Sequence, residues 1–116
     1  MSEKIVAPEA RNVDEILEEV ERELSFQGVP TLLRLRAAML TREVFDAVCG
    51  LGNPAGMFRC SFPGRGMVMF QFRDKAGALK PDLKMVQRLS VNPCTQGVKV
   101  GFQEGRCALK IDPAQV

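Results

Sequence analysis

The stretch MFRCSFPGRGMVMFQFR, residues 57–73, alternates two kinds of side chain on both sides of a central Pro-Gly-Arg-Gly. Alternation with a period of two is typical of strands that bury one face. Proline and glycine at residues 63–66 favour a tight turn between the two strands. We therefore predict a β-hairpin. Its buried face carries Phe58, Cys60, Phe62, Val68, Phe70 and Phe72.

Three methionines alternate with those buried positions and lie on the opposite face of the predicted hairpin. They are Met57, Met67 and Met69. An apolar stripe on the open face of a sheet is typical of a surface that binds a partner or a second copy. Methionine suits such a surface because its flexible thioether adapts to different neighbours. A phosphate-binding loop is an alternative interpretation of residues 64–66, although a turn between two strands explains them fully.

Two helices are predicted before this hairpin. Apolar residues recur at helical spacing over residues 13–24, and Asn12 followed by Glu15 has the pattern of a capping box. Residues 27–30, Gln-Gly-Val-Pro, end this helix. The second helix is predicted over residues 30–49, and its apolar stripe is broad enough that we expect burial on more than one side. The stripe comprises Leu33, Ala37, Leu40, Val44 and Val48, broadened by Leu32, Leu35, Met39 and Phe45.

The C-terminal part of the chain predicts a further helix and a second hairpin. We interpret residues 75–78 as a loop, residues 81–89 as a short helix that begins with Pro81, and residues 98–111 as two strands that turn at Glu104-Gly105. The predicted fold class is α+β, a two-layer α/β sandwich. Its sheet is mostly antiparallel or mixed, its helices cover one face, and the order is (β)ααββαββ.

The chain length predicts a single domain. Its 116 residues match the usual prior of roughly 100–200 residues per domain. We place the domain at residues 13–112, preceded by a tail or short edge strand at residues 1–12 and followed by a tail at residues 113–116. No apolar run approaches the roughly 18 residues of a membrane span, and residues 1–4 do not resemble a signal peptide. We therefore expect a cytoplasmic protein that does not bind membranes.

Missing residue types exclude several chemistries. The chain has no histidine, so an imidazole base and a histidine metal ligand are excluded. Tyrosine and tryptophan are also absent. The four cysteines have neither C-x-x-C nor zinc-site spacing, and we interpret them as buried, reduced thiols. We find no pair of a nucleophile and a base, and therefore do not expect independent catalysis.

Charge is distributed unevenly along the chain. Residues 1–25 contain three bases and eight acids, a balance of −5, whereas residues 26–116 contain thirteen bases and six acids, a balance of +7. A basic body can attract nucleic acid or phosphates, but no aromatic-interleaved basic stretch or helix-turn-helix pattern accompanies it. The acidic helix over residues 13–24 is either a solvated face or a docking surface for a basic partner.

Several short stretches resemble the histidine-kinase-like ATPase (GHKL) superfamily, in particular the small anti-sigma-factor kinases. The stretch REVFDAV at residues 42–48, followed by Gly-Asn-Pro at 52–54, resembles the N-box helix and its exit. The stretch FRDKAGALKP at residues 72–81 resembles the end of a strand and the Asp-Gly box that contacts adenine. Residues 82–89 resemble the helix after the nucleotide lid, and residues 98–111 the closing hairpin.

Departures from the family pattern fall on its nucleotide site. The resemblance places Asp46 where the family has a magnesium-binding asparagine and Arg42 where it has an acid. Glu43 is the remaining candidate for a catalytic carboxylate, one residue and about 100° around the helix from that position. Asp46 could still ligate Mg²⁺, because carboxylates suit hard cations. As alternatives, Glu43 and Asp46 are exposed helix residues that pair with a nearby arginine.

The adenine-binding part of the site is altered in a similar way. Asp74 matches the aspartate that accepts a hydrogen bond from adenine, although a turn-forming aspartate after a strand is the alternative. Ala76 and Ala78 replace glycines beside it and flank Gly77. Their methyl groups would crowd the base. A lid is essentially absent, and no Gly-x-Gly opens the following helix to cradle phosphates.

The resemblance therefore implies a degenerate site and a regulatory function. The expected function is a non-catalytic protein-interaction module in bacterial signalling, with no cofactor. By analogy its partner is a sigma factor, an antagonist protein or a response regulator, and a homodimer is a further option. The alternatives are a regulator that binds Mg-ATP or Mg-ADP weakly and, third, a nucleic-acid-binding module.

Overall fold

The computed structural model describes residues 3–50, 57–74, 77–78, 96–103 and 106–112. The elements in chain order are β1 (Glu3–Val6), a 3₁₀ turn (Ala10–Asn12), α1 (Val13–Phe26), α2 (Thr31–Cys49), β2 (Phe58–Ser61), β3 (Met67–Gln71), β4 (Arg73–Asp74), β5 (Gly77–Ala78), β6 (Val98–Gln103) and β7 (Arg106–Ile111). The predicted α+β class is confirmed. The predicted helix at 81–89, the Glu104-Gly105 turn and the tail at 113–116 lie outside the described residues.

Five strands form one open sheet in the order β1-β2-β3-β7-β6, and every pair of neighbours is antiparallel. Both predicted hairpins are present as β2–β3 and β6–β7, and the predicted N-terminal edge strand is β1. The loop predicted at residues 75–78 is wrong in part, because Gly77 and Ala78 pair with Asp74 and Arg73 in a separate two-stranded sheet. Glycine is compatible with a strand, so Gly77 was not sufficient evidence for a loop at this position.

The core lies between one face of the five-stranded sheet and the two helices. Phe58 is its centre, with ring centroids 4.9 Å from Phe45 of α2, 5.5 Å from Phe70 and 6.2 Å from Phe72. All residues predicted for the inner face of β2 and β3 are buried. This confirms the period-two interpretation and places α2 on that face of the sheet.

The beginning of α1 differs from the prediction. Asn12 makes no side-chain capping bond; its Nδ2 instead donates a hydrogen bond to the carbonyl oxygen of Ala7 at 2.9 Å. Glu15 lies near Lys4 of β1, with Nζ and Oε2 3.6 Å apart. The capping-box prediction is therefore wrong. The 3₁₀ turn that precedes α1 orients Asn12 toward the chain before it rather than toward the helix.

The predicted end of α1 at residues 27–30 is confirmed. Gly28 has φ of +79°, and the N–H of Val29 donates to the carbonyl oxygen of Leu24 at 3.0 Å. This is the glycine-terminated form in which a left-handed residue closes the last turn. The side chain of Gln27 then reaches the β2–β3 turn, where it accepts a hydrogen bond from the Gly66 N–H at 2.7 Å.

Burial of α2 on more than one side was expected, and this expectation is wrong. One side is buried, comprising Leu33, Ala37, Leu40, Thr41, Val44, Phe45 and Val48. By contrast, Leu32, Leu35 and Met39 are each more than half exposed. The pattern misled because the described structure has a single layer of two helices, and the far side of that layer faces solvent. No helix in the described ranges is both long and apolar enough to cross a membrane.

Described cysteines are free thiols, and the predicted burial is confirmed for two of the three. Cys60 and Cys107 are fully buried on the inner face of the sheet, and Cys49 at the end of α2 is half-buried. Burial, followed by the negative charge of Glu19, raises the pKa of Cys60 to about 12. Burial alone raises the pKa of Cys107 to about 12. Cys94 lies outside the described residues.

Candidate functional site

The residues predicted for a nucleotide site fall on two separate elements. Asp46 is exposed on α2, and Glu43 is half-buried one turn before it. Burial, and then the negative charge of Asp46, raise the pKa of the nearby Cys49 thiol. Over the described residues no group of three or more Cys, Asp and Glu side chains could hold a metal ion. The magnesium role of Asp46 and the catalytic role of Glu43 remain predictions.

Residues of the predicted adenine site lie on the short β4–β5 hairpin. Asp74 is the register partner of Gly77, and Arg73 is the partner of Ala78. Ala76 lies outside the described residues. The structure thus places Asp74 and Gly77 opposite each other, and it does not join them to Glu43 or Asp46 by any described contact. Nucleotide binding remains a prediction.

A different set of residues is brought together by the sheet, on the face away from the helices. The strand registers align Ser61, Met69, Ala108 and Gly101 in one row across β2, β3, β7 and β6. Gly101 is exposed, and a Cβ placed on it would meet nothing within 4 Å. Because this middle row combines short side chains with one methionine, it forms the floor of a shallow trough.

Cations occupy the rows on both sides of this floor. On one side, Arg59 and Arg106 stand in a row with Gln71 between them. On the other side, Lys110 and Lys99 are direct register partners. All four cationic side chains belong to exposed residues. The trough therefore has a floor of small and apolar groups between two basic walls.

Among the residues that the structure describes, a single acid pairs with the walls. Glu3 of β1 is the register partner of Ser61 and reaches Arg59, with Oε1 and Nε 3.8 Å apart. No described acid forms an ion pair with Arg106, Lys99 or Lys110. Like charges directly opposite on adjacent strands are destabilising, which applies to Lys99 and Lys110. The free protein thus carries an unfavourable pair that an anionic partner would relieve.

A half-open depression lies in the floor of the trough. Its volume is about 180 Å³, and it is lined by Met69, Gly101, Phe102, Arg106 and Ala108. An apolar cavity of about 150 Å³ is enough to hold a molecule such as benzene. The depression is therefore large enough for an aliphatic side chain from a partner, and Arg106 is part of its lining.

The helix layer presents a second exposed apolar feature. Leu32, Leu35 and Met39 follow one another along α2 at helical spacing and are 58%, 57% and 54% exposed. Phe26 at the end of α1 is 88% exposed. We call Leu32, Leu35 and Met39 the α2 ridge. The acids of α1 are partly engaged within the chain, since Glu21 pairs with Arg34 of α2 at 2.9 Å.

Sequence reasoning found the methionines of the trough but missed its cations and its floor. Met57 is exposed and Met67 and Met69 are half-buried on the outer face, as predicted. Lys99 and Lys110 were not singled out from the sequence, although the alternation of the second hairpin contained the signal that places them on the outer face. Alternation alone does not give the register of β3 against β7, and this register aligns Met69 with Ala108.

Comparison with known proteins found no match for this chain. No protein-family model, no curated protein and no solved structure matches it.

Proposed function

We propose that this chain is a non-catalytic protein-interaction module that binds an acidic segment of a partner protein in the trough. The observation that carries the proposal is a pair of basic walls around an apolar floor, in which Arg59 alone pairs with a described acid. Complementary charge guides association and selects partners, and a buried apolar contact supplies affinity. The resemblance implies a signalling role, with a sigma factor, an antagonist protein or a response regulator as the partner.

The composition of the trough favours a protein over a nucleic acid. Sheets that bind single-stranded nucleic acid generally stack bases on exposed aromatic rings. The chain has no tyrosine or tryptophan. Phe58, Phe62, Phe70 and Phe72 of β2, β3 and their flanks are buried on the inner face. Along its floor the trough offers methionine, alanine and glycine, and the half-buried Phe102 is the only described ring that lines the depression.

The test compares two double variants that change the net charge equally. Arg106→Glu/Lys110→Glu reverses one cation of each wall. Arg42→Glu/Arg65→Glu reverses two exposed arginines of α2 and the β2–β3 turn. Each tagged chain is crosslinked in the cells that naturally express it, and captured proteins are identified by mass spectrometry.

We expect at least one protein to be captured by the wild type and by Arg42→Glu/Arg65→Glu (the α2/turn variant) but not by Arg106→Glu/Lys110→Glu (the trough variant). A loss that also occurs in the α2/turn variant would indicate a general charge effect. Capture of the same proteins by all three chains would contradict the proposal. Unchanged thermal unfolding of both variants is the control for folding.

A further inference from the structure

We infer that the trough holds a single acidic, amphipathic α-helix that crosses strands β2, β3, β7 and β6. This inference rests on the proposed function and names the conformation of the bound segment. It depends on the dimensions of the trough, on the hydrogen-bonding needs of the partner's backbone and on the position of the cations.

The width of the trough matches a helix. Residues two apart on a strand are separated by about 6.7 Å, so the wall of Arg59 and Arg106 stands about 13 Å from the wall of Lys99 and Lys110. An α-helix with its side chains has a diameter of about 10–12 Å. A helix therefore fits on the floor with its flanks within reach of both walls.

The length of the trough sets the length of the contact. The floor crosses four strands, β2, β3, β7 and β6. Neighbouring strands are about 4.8 Å apart, so the floor extends about 14 Å. At 1.5 Å per residue this corresponds to about ten residues, or nearly three turns of helix. A segment of this length presents two or three apolar side chains on one stripe, at positions i, i+3 or i+4, and i+7.

A helix also satisfies its own backbone, whereas an extended peptide on this face would not. Peptides that bind sheets as strands use the edge, where main-chain N–H and C=O groups are free. On the face of the sheet the strands β2, β3 and β7 each have two bonded neighbours. An extended segment there would lose hydrogen bonds to water without replacement.

The position of the cations predicts the charge pattern of the segment. Because basic walls stand on both sides of the floor, acids are needed on both flanks of the apolar stripe. A helix presents three directions at once, namely the floor and the two flanks, while an extended strand presents two. We therefore expect an apolar side chain in the depression beside Gly101, with Glu or Asp toward Arg106 and toward Lys110.

The acidic helix of a second copy of this chain does not meet these requirements. Helix α1 carries the exposed acids Asp14, Glu15 and Glu18, but its apolar stripe is already used in the core. Ile16, Val20 and Leu24 are each 0% exposed. A second copy could also offer the exposed α2 ridge, but Arg36 and Arg42 flank that ridge with positive charge. No described helix of a second copy therefore combines a free apolar stripe with acids on both flanks, and the occupant is a segment of another protein.

The experiment is a selection from a display library of random peptides of about 16 residues on the immobilised full-length chain. Selected peptides are synthesised with a fluorescent label, and affinity is measured by anisotropy. We expect acids flanking apolar residues at helical spacing, and a gain of helical circular dichroism on binding. Affinity should fall at least tenfold for Arg106→Glu/Lys110→Glu and for Gly101→Leu, which fills the floor, and remain unchanged for Arg42→Glu/Arg65→Glu.

The outcomes separate the inference from the proposed function. The helix inference would be overturned by selection of basic peptides or by binding without a gain of helix. It would also be overturned if the peptides lost affinity for the Leu35→Glu variant of the α2 ridge. An empty selection would also overturn the helix inference. The crosslinking comparison tests protein binding independently of the selection. A single-stranded RNA of about 12 nucleotides is measured in parallel. RNA binding that depends on Arg106 and Lys110, with no peptide selected, would overturn both.

Discussion

The side-chain oxygen of Gln27 accepts a hydrogen bond from the backbone N–H of Gly66 at 2.7 Å, across 39 residues of sequence. This bond joins the end of α1 to the β2–β3 turn. Gly66 is buried, and its carbonyl oxygen accepts from the N–H of Ile111 at 2.8 Å. One turn therefore holds together the helix layer, the first hairpin and the end of the second.

Loss of the Gln27 bond should destabilise the protein measurably. Gln27→Ala removes the acceptor and leaves the buried N–H of Gly66 without its partner, which costs about 1–3 kcal/mol. Gln27→Glu retains an acceptor and is the matched control. The free energy of unfolding in urea measures both variants. Equal stability of Gln27→Ala and the wild type would show that water replaces the side chain without loss.

Gly66→Ala tests the same turn through its backbone. Gly66 has φ of +70°, a left-handed conformation that disfavours any side chain by roughly 1–2 kcal/mol. A Cβ there would lie 3.6 Å from Ile111 Cβ, which is ordinary contact, so strain in φ is the dominant effect. Gly101→Ala is the control, because Gly101 has open space around it. We expect a lower midpoint of urea unfolding for Gly66→Ala alone.

Lys99→Glu should stabilise the free protein and weaken partner binding. The substitution converts the like-charge pair of Lys99 and Lys110 into an opposite-charge pair, with a gain of about 0.5 kcal/mol. It also reverses one cation of the basic wall. Thermal unfolding and peptide affinity are measured on the same sample, with Lys99→Gln as an intermediate. If Lys99→Glu changed stability and peptide affinity in the same direction, the idea that this lysine pair lowers stability in favour of binding would be contradicted.

Buried thiols predict a fall in stability at high pH. The pKa of Cys60 and of Cys107 is about 12 in the folded protein against an ordinary value of 9.0. The folded state therefore holds these protons more tightly than the unfolded chain. Their contribution is complete below pH 9 and is lost as pH rises toward 12, by about 1.4 kcal/mol per pH unit for each thiol.

The measurement is urea unfolding in a reducing buffer at about pH 8 and about pH 10. Cys60→Ala/Cys107→Ala should lose less stability over this interval than the wild type. All other titratable groups are common to the two proteins, so their contribution cancels in the comparison. An equal decline in the two proteins would place the pH dependence elsewhere in the chain.

Mg-ATP and Mg-ADP should leave thermal unfolding unchanged if the site is as degenerate as the resemblance implies. A ligand at 100 times its Kd would add about 2.7 kcal/mol, a shift of several degrees in a domain of this size. A saturable rise of Tm that is lost in Asp74→Ala would instead establish a nucleotide-dependent regulator. Asp112→Ala, at the residue that follows β7, serves as a control carboxylate.

Local pattern was sufficient for the elements and for the face of each strand. Phe58 and Met69 were assigned to opposite faces of the sheet from alternation alone, and both assignments are confirmed. Two kinds of information were missing. The direction of the Asn12 side chain depends on the 3₁₀ turn before α1, and the exposure of Leu35 depends on how many layers the fold has. Neither is encoded in periodicity.

The trough required a third kind of information, which is pairing between distant strands. Met69 and Ala108 are 39 positions apart in sequence and become neighbours through the β3–β7 register. A slip of one residue would exchange the two faces of a strand, and the buried row of Phe70 and Cys107 prevents it. The core thus determines which outer residues meet, although it contributes none of them.

This division of the sheet into two independent faces makes binding specificity adjustable. Ser61, Met69, Gly101 and Ala108 form the floor, and none of them belongs to the core. Substitutions there alter the shape offered to a partner while the phenylalanine packing beneath stays constant. Under the proposed function, duplicated copies of such a chain would change their partner through the outer face while the core residues stay the same. A library restricted to these four positions would be a practical starting point for engineered binders.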